Sequence, residues 1–209
     1  MKNIHTPARG RPREFNQDKA LEAALLLFWK HGYEGTSLAQ LTKAMKITAP
    51  SLYAAFGSKA QLYRQTLDLY LATHGNPLAQ ALQAPGPARN VIEQLLATAA
   101  LQFSRAEFPS GCLVANGALR CGREHRAAAA ATSTLRRLSQ DALAQRLAQA
   151  VSAGELPRST DPAELAAFYA AMIQGMSVQA VDGATRKQLL KLAKRAMAAW
   201  PGNVYTANA

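Results

Sequence analysis

Apolar positions recur every three or four residues through most of the chain, and strictly alternating apolar–polar stretches are absent. That spacing lines one face of a helix, whereas a strand needs a period of two. Ala, Leu, Gln and Arg, all good helix formers, fill the intervals. The first stripe, Leu21, Ala24, Leu25 and Phe28, predicts a helix from about Asn16 to Lys30. Asn16 is its cap and Gly32 its left-handed stop. Leu38, Leu41 and Met45 mark a short second helix behind the capping box of Ser37 and Gln40. A third helix opens at the cap Thr48 with Pro50 in its first turn, buries Leu52 and Phe56, and stops at Gly57. A second capping box, Ser58 with Gln61, opens a fourth helix reaching about His74.

The composition shifts after Asn76 and Pro77, and the run Ala84-Pro85-Gly86-Pro87 breaks any helix. Beyond it, helices are predicted near 88–106, 112–119, 123–153, 161–182 and 184–200. The fold class is therefore all-α with about nine helices, read as a domain over 1–75 and a second over 76–209.

Composition narrows the function. Lys and Arg number 24 against 13 Asp and Glu, a formal charge of +11 in 209 residues. A surplus of that size points to a polyanionic partner. No apolar run reaches the ~18–20 residues of a membrane span. The N-terminal residues are basic without an apolar segment behind them, so no secretory signal and a cytoplasmic location are expected. The two cysteines, Cys112 and Cys121, cannot form a disulfide framework. Histidines are scattered and carboxylates unpaired, so no metal, cofactor or catalytic site is expected.

Two short helices joined by Lys46, Ile47 and Thr48 read as a helix-turn-helix, the alternative being a plain α-hairpin. The third helix shows small polar residues outward, and a basic stretch precedes the first helix; both favour the former. In that stretch Arg9, Gly10, Arg11, Pro12 and Arg13 form an extended arm of the kind that enters a minor groove.

The segment TSLAQLTKAMKITAPSLYAAFGSKAQLY, residues 36–63, resembles the DNA-binding motif of the TetR family of bacterial transcription regulators. The carriers are Gly35-Thr36-Ser37, Leu52-Tyr53, Phe56-Gly57-Ser58-Lys59 and Leu62-Tyr63. The resemblance implies a dimeric regulator that binds double-stranded DNA at a palindromic operator, a repressor released by a small-molecule effector. It implies a backbone contact by Tyr53; Lys59, at the N-terminus of the fourth helix, is a candidate phosphate contact, and Thr36, Thr48 and Ser51 are candidates for groove or phosphate hydrogen bonds. Lys46 stands where relatives carry glycine, so a left-handed residue with some strain and a compensating phosphate contact is expected there.

The last two helices resemble the family's dimerisation bundle, through Leu189, Ala193, Ala196 and Trp200 on one and Leu165, Phe168, Met172 and Met176 on the other. Phe103, Phe108, Asn116, Met172, Gln174 and Met176 are the expected lining of an effector pocket, for an apolar or weakly anionic ligand. The basic stripe Lys187, Lys191 and Lys194 reads as a solvated face. Cys112 and Cys121 are read as buried thiols before redox sensors. The residues leave open a ligand-independent nucleoid-type protein, and a small-molecule carrier or enzyme.

Overall fold

A computed structural model describes residues 16–202. Among these residues the chain forms ten α-helices and no strand. They are α1 (Gln17–His31), α2 (Leu38–Met45), α3 (Ala49–Phe56), α4 (Lys59–Ala72), α5 (Asn76–Gln83), α6 (Ala88–Phe103), α7 (Leu113–Asn116), α8 (Arg126–Ser152), α9 (Pro162–Val181) and α10 (Arg186–Ala196). Single 3-10 turns precede α8 and follow α10.

The N-terminal boundaries fall where the capping residues place them. Asn16, Ser37, Thr48 and Ser58 each accept a backbone N–H of the following turn, and Gln40 and Gln61 close both capping boxes. Three expectations are corrected. The stretch from Asn76 to Gln83, where only a shift of composition is read and no helix is predicted, forms α5: Pro77 occupies its first turn, where its missing N–H leaves nothing unsatisfied. The helix predicted over 112–119 is a single turn, α7. The helix predicted over 184–200 is α10 plus the 3-10 turn.

Two apolar cores organise the fold. The first joins α1–α4 around Phe28, Leu41, Leu52 and Tyr63, and takes in Leu113, Val114, Ala118 and Ala128 from far along the chain. The second joins α6, α8, α9 and α10 around Ile92, Leu96, Leu147, Tyr169 and Leu189. Leu189, Ala193, Ala196 and Trp200 are buried in this second core, α10 packing on α6 and α9. The apolar face of α10 expected to meet a second copy is thus covered by its own chain. Of the partner face predicted on α9, Met176 is also internal, while Phe168 stays 37% exposed, together with Val178, Val181 and Leu190. Lys187, Lys191 and Lys194 face solvent.

Candidate nucleic-acid interface and ligand cavity

The helix-turn-helix is held from beneath. Leu41 and Met45 of α2 and Leu52 and Phe56 of α3 sink into the first core, so α3 can present only its other side. That side carries Thr48, Ala49, Pro50, Ser51, Tyr53 and Ala54, all exposed. The Thr48 and Ser51 hydroxyls lie 2.9 Å apart, and the Ser51 N–H donates to the Thr48 Oγ1. Small side chains along one helix face let the backbone come close to a groove. Tyr53, 48% exposed, is the one large group among them.

Lys46 closes α2 with φ 57° and ψ 42°, the only non-glycine residue with positive φ among those described. The turn needs this conformation because the Lys46 and Ile47 N–H groups fold back to Lys43 and Thr42 carbonyls. A lysine there costs about 1–2 kcal/mol relative to an unstrained residue. Lys46 is exposed, three residues before the start of α3.

Lys59, in the first turn of α4, is placed differently from a free surface charge. Its Nζ lies 4.3 Å from the centroid of the Tyr33 ring. Partial burial lowers its pKa, with Glu34 and Cys121 opposing. Thr36 is corrected as a DNA-contact candidate: it is fully buried, and its hydroxyl donates to the Gly32 carbonyl at 2.7 Å. It fixes the turn between α1 and α2. Arg9, Arg11 and Arg13 lie outside the described residues.

That turn is where the two halves of the chain meet. The Trp29 indole donates to the Gly111 carbonyl at 3.2 Å. The Tyr33 N–H donates to the Gly117 carbonyl at 2.7 Å. The Gly122 N–H donates to Glu34 Oε1 at 2.9 Å, and His125 Nε2 stands 3.7 Å from Glu34 Oε2. Residues 111–125 thereby form a clasp on the helix-turn-helix unit. The bonds of Gly111, Gly117 and Gly122 run through their backbone atoms, which leave no mark in a sequence, and nothing in the sequence pairs Glu34 with residues 122–125.

The other side of the clasp lines a cavity of about 760 Å³ between α4, α5, α6, α7, α8 and α9. Of the six predicted pocket residues, Phe103 and Gln174 line it. The other four are corrected. Phe108 stacks on Trp29 and lies tilted against His74. Asn116 donates to the Ser177 hydroxyl. Met176 is buried in the second core and Met172 packs against it. The sequence reading missed Tyr70, Leu78, Leu82, Leu95, Cys112 and the long face of α8 from Leu135 to Gln149. Arg136, on that face, donates to the Val114 carbonyl of α7 at 2.9 Å.

Cys112 lines the cavity and shares a hydrogen bond with Tyr70. Burial pushes its thiol pKa up, and burial does the same at Cys121. Neither thiol is thereby favoured as a thiolate. Among the described residues no cluster of His, Cys, Asp and Glu is placed to hold a metal ion, and no helix is long and apolar enough to cross a membrane.

Fold and site define an all-helical, helix-turn-helix protein with an open cavity between α4 and the helices of the C-terminal half. The profile of bacterial regulatory proteins of the tetR family matches residues 20–66, and that of the tetracyclin repressor-like C-terminal domain matches residues 86–197. The HTH-type transcriptional repressor ComR of Escherichia coli K12 is 35% identical over 198 residues, 93% of each chain. BdcR, an HTH-type transcriptional repressor of the same organism, is 40% identical over 108 residues, 52% of this chain and 55% of that protein. A solved structure of the TetR family transcriptional regulator CifR, a cysteine-substituted form complexed with 26-bp double-strand operator DNA, is 44% identical with a TM-score of 0.87. The match covers 92% of this chain and 100% of that one. The chain belongs to the tetR family of bacterial regulatory proteins.

Proposed function

We propose that the protein is a dimeric transcriptional repressor that releases its operator when a small molecule fills the cavity. The observation that carries this reading is the clasp: residues 111–125 wall the cavity through Cys112, Val114 and Ala115 and hold the helix-turn-helix through Gly117 and Gly122. A ligand that alters the wall alters the seat of the DNA-binding unit. Two copies of α3 set roughly 34–36 Å apart would enter successive major grooves of a two-fold operator. Thr48, Ser51 and Tyr53 would face the groove, and Lys46 and Lys59 the phosphates. Arg9, Arg11 and Arg13 would follow the adjacent minor groove. That CifR has been captured on operator DNA supports the reading.

The face left for dimerisation is the stripe of Phe168, Gly175 and Val178 on α9, with Leu190 of α10 beside it. A Cβ at Gly175 would meet nothing within 4 Å inside the chain, so the stripe leaves room for a close partner helix. The ligand-independent alternative is disfavoured by the size of the cavity, since a protein that only dimerises has no use for one.

The test is a mobility shift on DNA fragments flanking the protein's own gene, with competitor DNA at physiological salt. A two-fold footprint bound by two copies is expected. Binding that competitor removes entirely, or one copy on an asymmetric site, would overturn the proposal.

A further inference from the structure

The cavity has a one-sided chemistry. No Asp or Glu lines it, whereas two arginines do, Arg136 and Arg146. They stand ten residues apart on α8, about 15 Å along the helix. Arg146, at one end, donates to the Gly86 carbonyl. Arg136, at the other, is half-buried, and its one hydrogen bond among the described residues goes to the neutral carbonyl of Val114. No carboxylate reaches it: the ion pairs of the described residues involve Arg89, Arg105 and His125 instead. A guanidinium carries five N–H donors in a planar fork, so most of the donor capacity of Arg136 is unused. Between the two arginines the wall is mainly apolar, with Leu78, Leu82, Leu95, Leu143 and Ile173, and carries the neutral polar groups of Ser139, Gln145 and Gln174.

We infer that the cavity takes a small amphipathic anion, a carboxylate head on an apolar body, with Arg136 as the partner of the head. This rests on the reading of the cavity as the effector site. A cationic head would meet two guanidiniums and no counter-charge. A neutral head would gain only ordinary hydrogen bonds. A carboxylate meets the fork bidentately, at a partly dry site where such a bond is strongest. The apolar body then lies along α8 toward α5. Because Arg136 also holds the Val114 carbonyl, capture of the head is felt at once by α7 and so by the clasp.

Decanoate, 1-decanol and decylammonium share one tail and differ in head charge, and they make the test. Each is titrated into the full-length protein by calorimetry below its micelle concentration. Decanoate should bind about 10–100-fold more tightly than decanol, the range of a charge-assisted hydrogen bond, and decylammonium weakest. Arg136→Gln should lose the preference for decanoate while keeping decanol binding. Arg136→Met, which retains the aliphatic stem, serves if the glutamine variant does not fold. Lys187→Gln removes the same charge from an exposed position on α10 and should keep the wild-type preference; loss there would mean mere attraction of anions to a chain of +11. Equal binding of decanoate and decanol overturns the anion inference and leaves the cavity reading standing. Binding of none of the three overturns both.

Discussion

Replacing Gly117 by alanine should loosen the joint between the two halves of the protein. The Gly117 backbone is unstrained, with φ −65°, so the effect is one of space alone. An added Cβ would stand 2.5 Å from the Tyr63 hydroxyl, 2.5 Å from the Leu113 carbonyl and 2.7 Å from Leu113 Cδ1. Comfortable carbon contacts need about 3.5–4.0 Å, so roughly 1 Å must be found. Tyr63 cannot provide it: it is fully buried and wedged edge-on between Phe28 at 5.0 Å and Tyr33 at 5.1 Å. Leu113 is also fully buried. The backbone at 117 therefore moves outward and stretches its bond from the Tyr33 N–H. Overpacking costs about 1–3 kcal/mol and the weakened bond about 0.5–1.5 kcal/mol. At about 2–4 °C per kcal/mol for a chain of this size, the thermal midpoint should fall by about 3–18 °C. Tyr63→Phe makes the reasoning sharper. The Tyr63 hydroxyl has no hydrogen-bond partner among the described residues, so its removal should be close to neutral. In the double variant it removes one of the close contacts and should restore about 0.5–2 kcal/mol. Calorimetric melting of the four proteins measures the cycle. A Gly117→Ala midpoint within 1 °C of the parent, or no coupling with Tyr63→Phe, would refute the packing account.

Four further outcomes are expected. Lys59→Ala should weaken binding to all DNA sequences alike and reduce the slope of log affinity against log salt by about 0.9, one phosphate's worth; fluorescence anisotropy across a salt series reads it. Lys46→Gly should relieve the left-handed strain, less the added chain entropy, and raise stability by about 0.5–1 kcal/mol in urea unfolding, while weakening DNA binding. Burial, with Arg105 adding to it and Glu22 opposing, holds the His74 pKa below its usual 6.5; as pH falls through 6.5 the unfolded chain takes up a proton that the folded chain resists, so stability is lost on the acid side, and His74→Phe should flatten the melting profile between pH 7 and 5. Gly175→Leu on the open stripe of α9 should shift the dimer toward monomer in analytical ultracentrifugation without lowering the helix content.

The sequence announced what depends on local chemistry. Capping residues fixed the starts of α1 to α4, whereas the left-handed lysine at position 46, observed at φ 57°, followed only from the family resemblance of the turn. Side chains turned outward on α3 were legible because Leu52 and Phe56 leave only one other face. The cavity was not legible, because its lining and the solid core draw on the same residue types. Phe103 borders space and Phe108 stacks on Trp29 only because α6 ends between them. Arg136 carried no mark that separates it from Arg137, its exposed neighbour on α8. The clasp was invisible for another reason: much of it is made by the backbone N–H or carbonyl groups of Tyr33, Gly111, Gly117 and Gly122, and nothing in the sequence pairs the side chains of Trp29 and Glu34 with them.

The first core has a consequence for how such proteins can be recombined. Leu113, Val114, Ala118 and Ala128 complete the packing of α1–α4, although they lie on the far side of any cut made near residue 75. A chimera that joins the N-terminal 75 residues to a foreign effector half would leave that core open on one flank and Tyr33 without its carbonyl. A graft that carries residues 111–131 along with the DNA-binding half keeps the flank closed. The unit that is exchangeable between relatives is thus discontinuous in sequence, and exchange of operator preference is easier by resurfacing α3 in place than by swapping whole halves.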